Sequence, residues 1–161
     1  MADECSMSSI AEALFAGLQG RWRLVRTFTS FSSALPSGSA TGTATFERRE
    51  GDELLQTEEG VFRSEGGPAI DFTRRYVFVL SGGELCVHFA DSKGVRGGLF
   101  HRLAFVDRTA AAGEEHLCVR DLYKTAYRFR WADDRLEGFE IDDEVKGPAK
   151  DWRATTVYER E

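Results

Sequence analysis

The chain has 161 residues, 42% apolar and 30% charged, a single domain's worth of ordinary globular composition. Its formal net charge of −6 argues against nucleic acid or an anionic membrane surface as partner, because both are gripped mainly through excess Lys and Arg. Cys5, Cys86 and Cys118 are odd in number and widely spaced, the pattern of reduced thiols rather than of a disulfide framework or a zinc site.

The opening MADECSMSS has no positive n-region and no long apolar stretch, so it does not read as a secretory signal. No later run reaches the length of a membrane span, and a cytoplasmic protein is expected. Residues 1–7 read as a flexible lead. Ser8 or Ser9 can cap a helix over 8–18, with Ile10, Leu14, Phe15 and Leu18 in one apolar stripe before Gly20. From Trp22 onward the apolar period falls to two, which predicts strands over 20–30, 40–49, 53–63, 69–80, 84–91, 97–107, 115–131, 135–146 and 152–160.

The intervening SSALPSGS, EGD, SEGGP, SGG, DSKGV, DRTAAAGEE, ADD and KGPAKD are rich in turn formers. Short connections favour antiparallel neighbours, and closing the meander removes its edges. The expected fold is therefore all-β, an up-and-down antiparallel barrel of about eight to nine strands with a short N-terminal helix, a single domain over 1–161.

Alternation assigns one face of each strand to the interior. That face carries Trp22, Leu24, Arg26 and Phe28; Gly42, Ala44 and Phe46; Leu54, Glu58 and Phe62; and Phe72, Arg74, Tyr76 and Phe78. It continues with Leu85, Val87 and Phe89; Leu99, His101, Leu103 and Phe105; Phe139 and Ile141; and Trp152, Thr156, Tyr158 and Arg160. In HLCVRDLYKTAYRFRW, residues 116–131, Asp121, Tyr123 and Tyr127 share the inner face while His116 and Cys118 take the outer one. The His-Cys-Asp trio is thus no triad in a regular strand; only a bulge near Arg120 or Asp121 would turn all three inward.

The helix followed by Gly20-Arg21-Trp22 resembles the GxW signature of lipocalins and their calycin relatives. The resemblance implies that Trp22 is structural and that Arg160 in the terminal VYERE is the basic residue packing across it. GRWRLVR, FHRLAF, HLCVRDLY, VKGPAKDW and TVYER are similar to an uncharacterised family of small calycin-like (lipocalin-like) proteins of unknown function. This implies a fold and no activity. The chain lacks the Cys pair that staples secreted lipocalins and its loop after the first strand is short, which argues against an extracellular carrier.

Polar groups on an apolar inner face are the informative positions, because burying them unpaired costs several kcal/mol. They are Arg26, Glu58, Arg74, Tyr76, His101, Asp121 and Tyr123. Arg26 and Arg74 can grip a carboxylate or phosphate through paired guanidinium donors, or simply neutralise Glu58 and Asp121 in an internal ion-pair network. His88, His101 and His116 lie on separate strands, so no three or four ligands converge on a metal, and no cofactor motif is present.

Three functions remain open. The first is a binding barrel for a small molecule that is apolar with an anionic end. The second is a small-acid decarboxylase or isomerase using Glu58 or Asp121 as acid or base, Arg74 as clamp and Tyr123 as donor. The third is an interaction module whose core is packed solid with its 12 Phe residues.

Overall fold

The alternating residues close into a ring of strands. A computed structural model describes residues 4–33, 35–114, 116–118, 120–148 and 150–161, the side chains of 4–8 and 116–118 excepted. Helix α1 (Glu4–Leu18) leads into β1 (Gly20–Ser30), β2 (Gly38–Arg49), β3 (Glu53–Ser64), β4 (Ala69–Ser81), β5 (Glu84–Ala90) and β6 (Arg96–Asp107). The chain continues through β7 (Ala110–Gly113), β8 (His116–Cys118), β9 (Asp121–Ala132), β10 (Arg135–Lys146) and β11 (Asp151–Arg160). Neighbouring strands of the sheet pair antiparallel, and β11 returns to β1 with Trp22 opposite Arg160. Because β7 and β8 both lie along β9, the closed ring is ten strands around.

That count exceeds the expected eight to nine, for two reasons. The segment read as the turn DRTAAAGEE contributes β7, whose alanines pair with β6 on one side and β9 on the other. Neighbours on both sides override the weak strand propensity of alanine. The stretch read as one strand over 115–131 is instead a hairpin, with Cys118 opposite Asp121 and Leu117 opposite Leu122. Asp121, Tyr123, Thr125, Tyr127 and Phe129 keep the inward phase; whether His116 and Cys118 face inward lies outside the described side chains.

Two further differences concern the helix and β6. The helix starts at Glu4 rather than at a Ser8 or Ser9 cap, so the expected flexible lead 1–7 is helical from residue 4, and residues 1–3 lie outside the described part. Leu99, expected inside, is 49% exposed. His88 pairs with Leu99 while Val87 pairs with His101, which leaves Phe100 as an extra residue. Such a bulge reverses the phase upstream of it, so Leu99 turns out and Phe100 turns in.

Helix α1 plugs one end. Ala11, Leu14, Phe15 and Leu18 pack against Trp22, Leu54, Leu85 and Leu136, all buried. The Trp22 indole donates to the Leu18 carbonyl at 2.9 Å. Arg160 lies 4.1 Å over the Trp22 ring and donates to the carbonyls of Leu136, Gln19 and Gly17 at 2.9, 3.3 and 2.5 Å. Gly20 makes the sharp passage from helix to strand at φ +126°, a conformation open to Gly but costly for a side chain. The opposite end is the mouth, and its rim is uneven. β5 reaches only as far as Tyr76 of β4, so among the described residues Ala69–Arg75 are paired on the β3 side alone. The wall is complete around the plugged half and notched beside Arg74.

Candidate functional site

Register brings the interior polar residues into one belt at mid-height. Glu58 stands opposite Arg74, Gln56 opposite Tyr76, Arg26 opposite Thr156 and Asp143 opposite Thr125. Directly opposed side chains on one face of a sheet touch, so each pairing becomes a contact without help from a loop.

Glu58 is the hub and is fully buried. Its Oε1 accepts from Arg26 Nη2 at 2.8 Å, and its Oε2 accepts from Gln56 Nε2 at 2.9 Å and from the Tyr158 hydroxyl. Arg26 also donates through Nε to the Thr156 hydroxyl at 2.7 Å. Burial works to raise the Glu58 pKa, but the charges of Arg74 and Arg26 and the hydrogen bonds from Tyr158 and Arg26 outweigh it and hold the carboxyl below its usual range. Glu58 is therefore an ionised, saturated acceptor. Tyr158 is pushed the other way, by burial and by the Glu58 charge, and stays a neutral donor.

Arg74 is placed differently. Its Nε lies 3.2 Å from Glu58 Oε1, off the direction of a hydrogen bond, and its guanidinium sits 5.1 Å from the Tyr76 ring centroid. Among the described residues it makes no hydrogen bond. Burial disfavours its charge, yet the ionised Glu58 carboxylate beside it outweighs that, and Arg74 stays charged. Of its side-chain surface 35% is open, and part of it lines a cavity beside the notch in the rim.

Two cavities meet this belt. One is small, about 20 Å³, and sets the belt's polar groups Arg74, Asp143, Gln56, Tyr76 and Tyr127 against an apolar side of Phe78, Val87, Phe100 and Ile141; about 10–15 Å³ suffices for one water. The other lies at the mouth, about 300 Å³, with Phe28, Phe62, Phe72, Leu35 and Pro36 as walls and Arg26 at its floor. The two are stacked along β4, where Phe72 faces the mouth and Arg74 the small chamber.

The remaining sequence-expected residues divide. Tyr76 lines the small chamber, and burial raises its pKa. His101 is buried, with Nε2 2.6 Å from the Tyr127 hydroxyl and its ring flat against Gly113, where an added Cβ would come within 2.7 Å of Nδ1. Only glycine admits the ring there. Tyr123 stands at the mouth, accepts from Lys150 Nζ at 2.6 Å and meets Phe100 and Trp152 edge-on. Asp121 is buried but packs on the Gly147 backbone at the start of β9 and lines neither cavity. It does not join Arg26 and Arg74, so the expected ion-pair network contains Glu58 without Asp121.

Three belt residues were missed from the sequence: Gln56, Thr125 and Asp143. Asp143 follows Phe139 and Ile141 in the inward phase of β10, and Gln56 lies between Leu54 and Glu58 in that of β3, so extending the alternation by one step would have found both. Thr125 Oγ1 donates to Asp143 Oδ1 at 2.9 Å. Burial raises the Asp143 pKa, with the charges of Arg74 and Arg26 only partly opposing it. Among the described residues no group of three His, Cys, Asp or Glu is placed to hold a metal ion.

The shell is shared with solved structures of low identity. The S-type phycobiliprotein lyase CPES from Guillardia theta superposes with a TM-score of 0.65 at 13% identity, over 100% of this chain and 98% of that one. A protein of unknown function from the DUF3598 family of Nostoc punctiforme superposes at 0.56 and 14% identity, over 91% of this chain and 49% of that longer one. Both likenesses show the fold. No curated protein matches the chain. Residues 18–160, from the end of α1 to the last residue of β11, match a family of unknown function, and the chain belongs to that family, DUF6314.

Proposed function

We propose that this is a calycin-like binding barrel for a small molecule with an apolar body and an anionic end. The apolar body would occupy the mouth among Phe28, Phe62 and Phe72, and the anionic end would point down β4 toward Arg26 and Arg74. One observation carries the reading: two guanidinium groups face one ionised carboxylate, and the second of them, Arg74, lines a cavity and makes no hydrogen bond among the described residues. A cation that close to an apolar chamber matches an anion. That a barrel of the same shape is a phycobiliprotein lyase in Guillardia theta supports a working interior.

Glu58 lends no support to the acid–base enzyme, because its lone pairs are taken and its charge is held by Arg26 and Arg74. The solid interaction module fits the plugged half and fails at the mouth, where about 300 Å³ is open. A cytoplasmic location agrees with Cys86 as a free thiol. The test is thermal shift and native mass spectrometry with decanoate, 1-naphthoate and their neutral amides, on wild type and Arg74→Met. The acids should bind and the amides should not, and the variant should lose roughly 10–100-fold in affinity, as expected for a charge-assisted hydrogen bond. Equal binding of acids and amides, or no binding of either, would overturn the proposal.

A further inference from the structure

The small chamber holds a second group suited to an anion. Asp143 projects inward from β10, faces Arg74 across the chamber, and among the described residues has one hydrogen bond, from the neutral Thr125 hydroxyl to Oδ1. It forms no ion pair with Arg74, whose nearest carboxylate is Glu58. Its second oxygen accepts no hydrogen bond among the described residues, and its side chain lines the chamber. A carboxylate there would repel an arriving anion, whereas a carboxylic acid would donate to it.

We propose that Asp143, as a carboxylic acid, donates a hydrogen bond to the anionic end of the bound molecule beside the Arg74 guanidinium, so that binding takes up a proton and strengthens as pH falls. The inference rests on the anionic-ligand reading above. The charged and titratable groups facing Asp143 are Arg74 and Tyr76 on β4, Tyr127 on β9, Arg26 on β1 and Glu58 on β3; the residue opposite on β11 is Ala154. The Glu58 charge is already engaged by Arg26. Tyr76 and Tyr127 are raised above the ordinary phenol range by burial. Within that set Asp143 is the carboxyl group whose environment favours the acid form. The chamber, with room for about one water, lies between Arg74 and Asp143, where one oxygen of an anionic headgroup can replace that water.

The experiment uses decane-1-sulfonate, which stays anionic throughout, so pH acts on the protein alone. Calorimetric titrations of wild type from pH 5 to 8, in buffers of different ionisation enthalpy, should show affinity falling toward high pH, by up to tenfold per unit, with uptake of up to one proton per ligand. Asp143→Asn keeps an N–H donor and should bind with a flat pH profile and no proton uptake. Wild type that binds without pH dependence or proton uptake overturns the role of Asp143 and leaves the anionic-ligand reading standing. So does an Asp143→Asn protein with the wild-type pH slope. A wild type that binds none of decane-1-sulfonate, decanoate or 1-naphthoate overturns the reading of the site and this inference with it. Should the variant not fold, the proton count on wild type decides alone.

Discussion

Glu58→Gln tests the belt most directly. Glu58 is 0% exposed and neutralises Arg26 at 2.8 Å while standing 3.2 Å from Arg74. Glutamine preserves the volume and one acceptor but leaves the buried Arg26 guanidinium, and the partly open Arg74 beside the same site, without a counter-charge. Removing one partner of a buried pair typically costs about 3–5 kcal/mol, because the other charge stays desolvated. In a domain of this size each kcal/mol moves the melting temperature by roughly 2–4 °C, so a fall of about 6–20 °C is expected in calorimetry at pH 7. Total stability is usually about 5–15 kcal/mol, so the variant should fold at low temperature. Adding Arg26→Met should recover part of the loss, since replacing a buried pair with apolar atoms is far milder than halving it. A Glu58→Gln protein that melts within about 2 °C of wild type would refute the assignment of Glu58 as an ionised hub.

Arg160→Met keeps the packing over Trp22 but removes three bonds to backbone carbonyls at the plugged end; urea unfolding should show a loss of about 2–3 kcal/mol, and an unchanged midpoint would contradict the role of Arg160 as the tie between helix and barrel. The two inner carboxylates should have opposite pH signatures. The lowered Glu58 pKa contributes stability that is present above its unfolded value of 4.5 and lost as pH falls through the folded one. The raised Asp143 pKa contributes stability present below its unfolded value of 3.8 and lost as pH rises through the folded one. Urea midpoints should accordingly show Asp143→Asn more stable than wild type at pH 8, with the gap closing toward acid pH, and the reverse order at pH 8 would contradict the account. Phe62→Ala opens the mouth wall without touching the belt; it should weaken decanoate binding by about 10–100-fold, from the loss of about 1.5–3 kcal/mol of apolar contact, and unchanged affinity would place the ligand elsewhere.

The belt was partly legible because strand alternation is a local property. Arg26, Glu58, Arg74 and Tyr76 could be placed inside from their neighbours Leu24, Leu54, Phe72 and Phe78 alone. Asp121 and Asp143 show the limit of that method. Both have the inward phase, yet height along the barrel separates them: Asp121 starts β9 against Gly147, while Asp143 faces Arg74. Height depends on stagger between strands distant in sequence, and no local pattern encodes it.

Composition and period two thus determined the fold class, the N-terminal helix and most of the polar side chains turned inward, while the resemblance to lipocalins implied the pairing of Trp22 with Arg160. Hydrophobic patterning acts residue by residue, so these could be read from the chain itself. Tertiary structure decided which inward groups meet. The Phe100 bulge turned Leu99 out, pairing on both sides made a strand of Ala110–Gly113, and register set Glu58 against Arg74 and Asp143 against Thr125. It also decided that Arg26 donates to Thr156 and Glu58 at the floor of the mouth while Arg74 lines the chamber below it, because β5 ends at the level of Tyr76 and leaves the rim open there. Contacts of that kind join strands far apart in the chain, and their geometry exists only once the ring has closed.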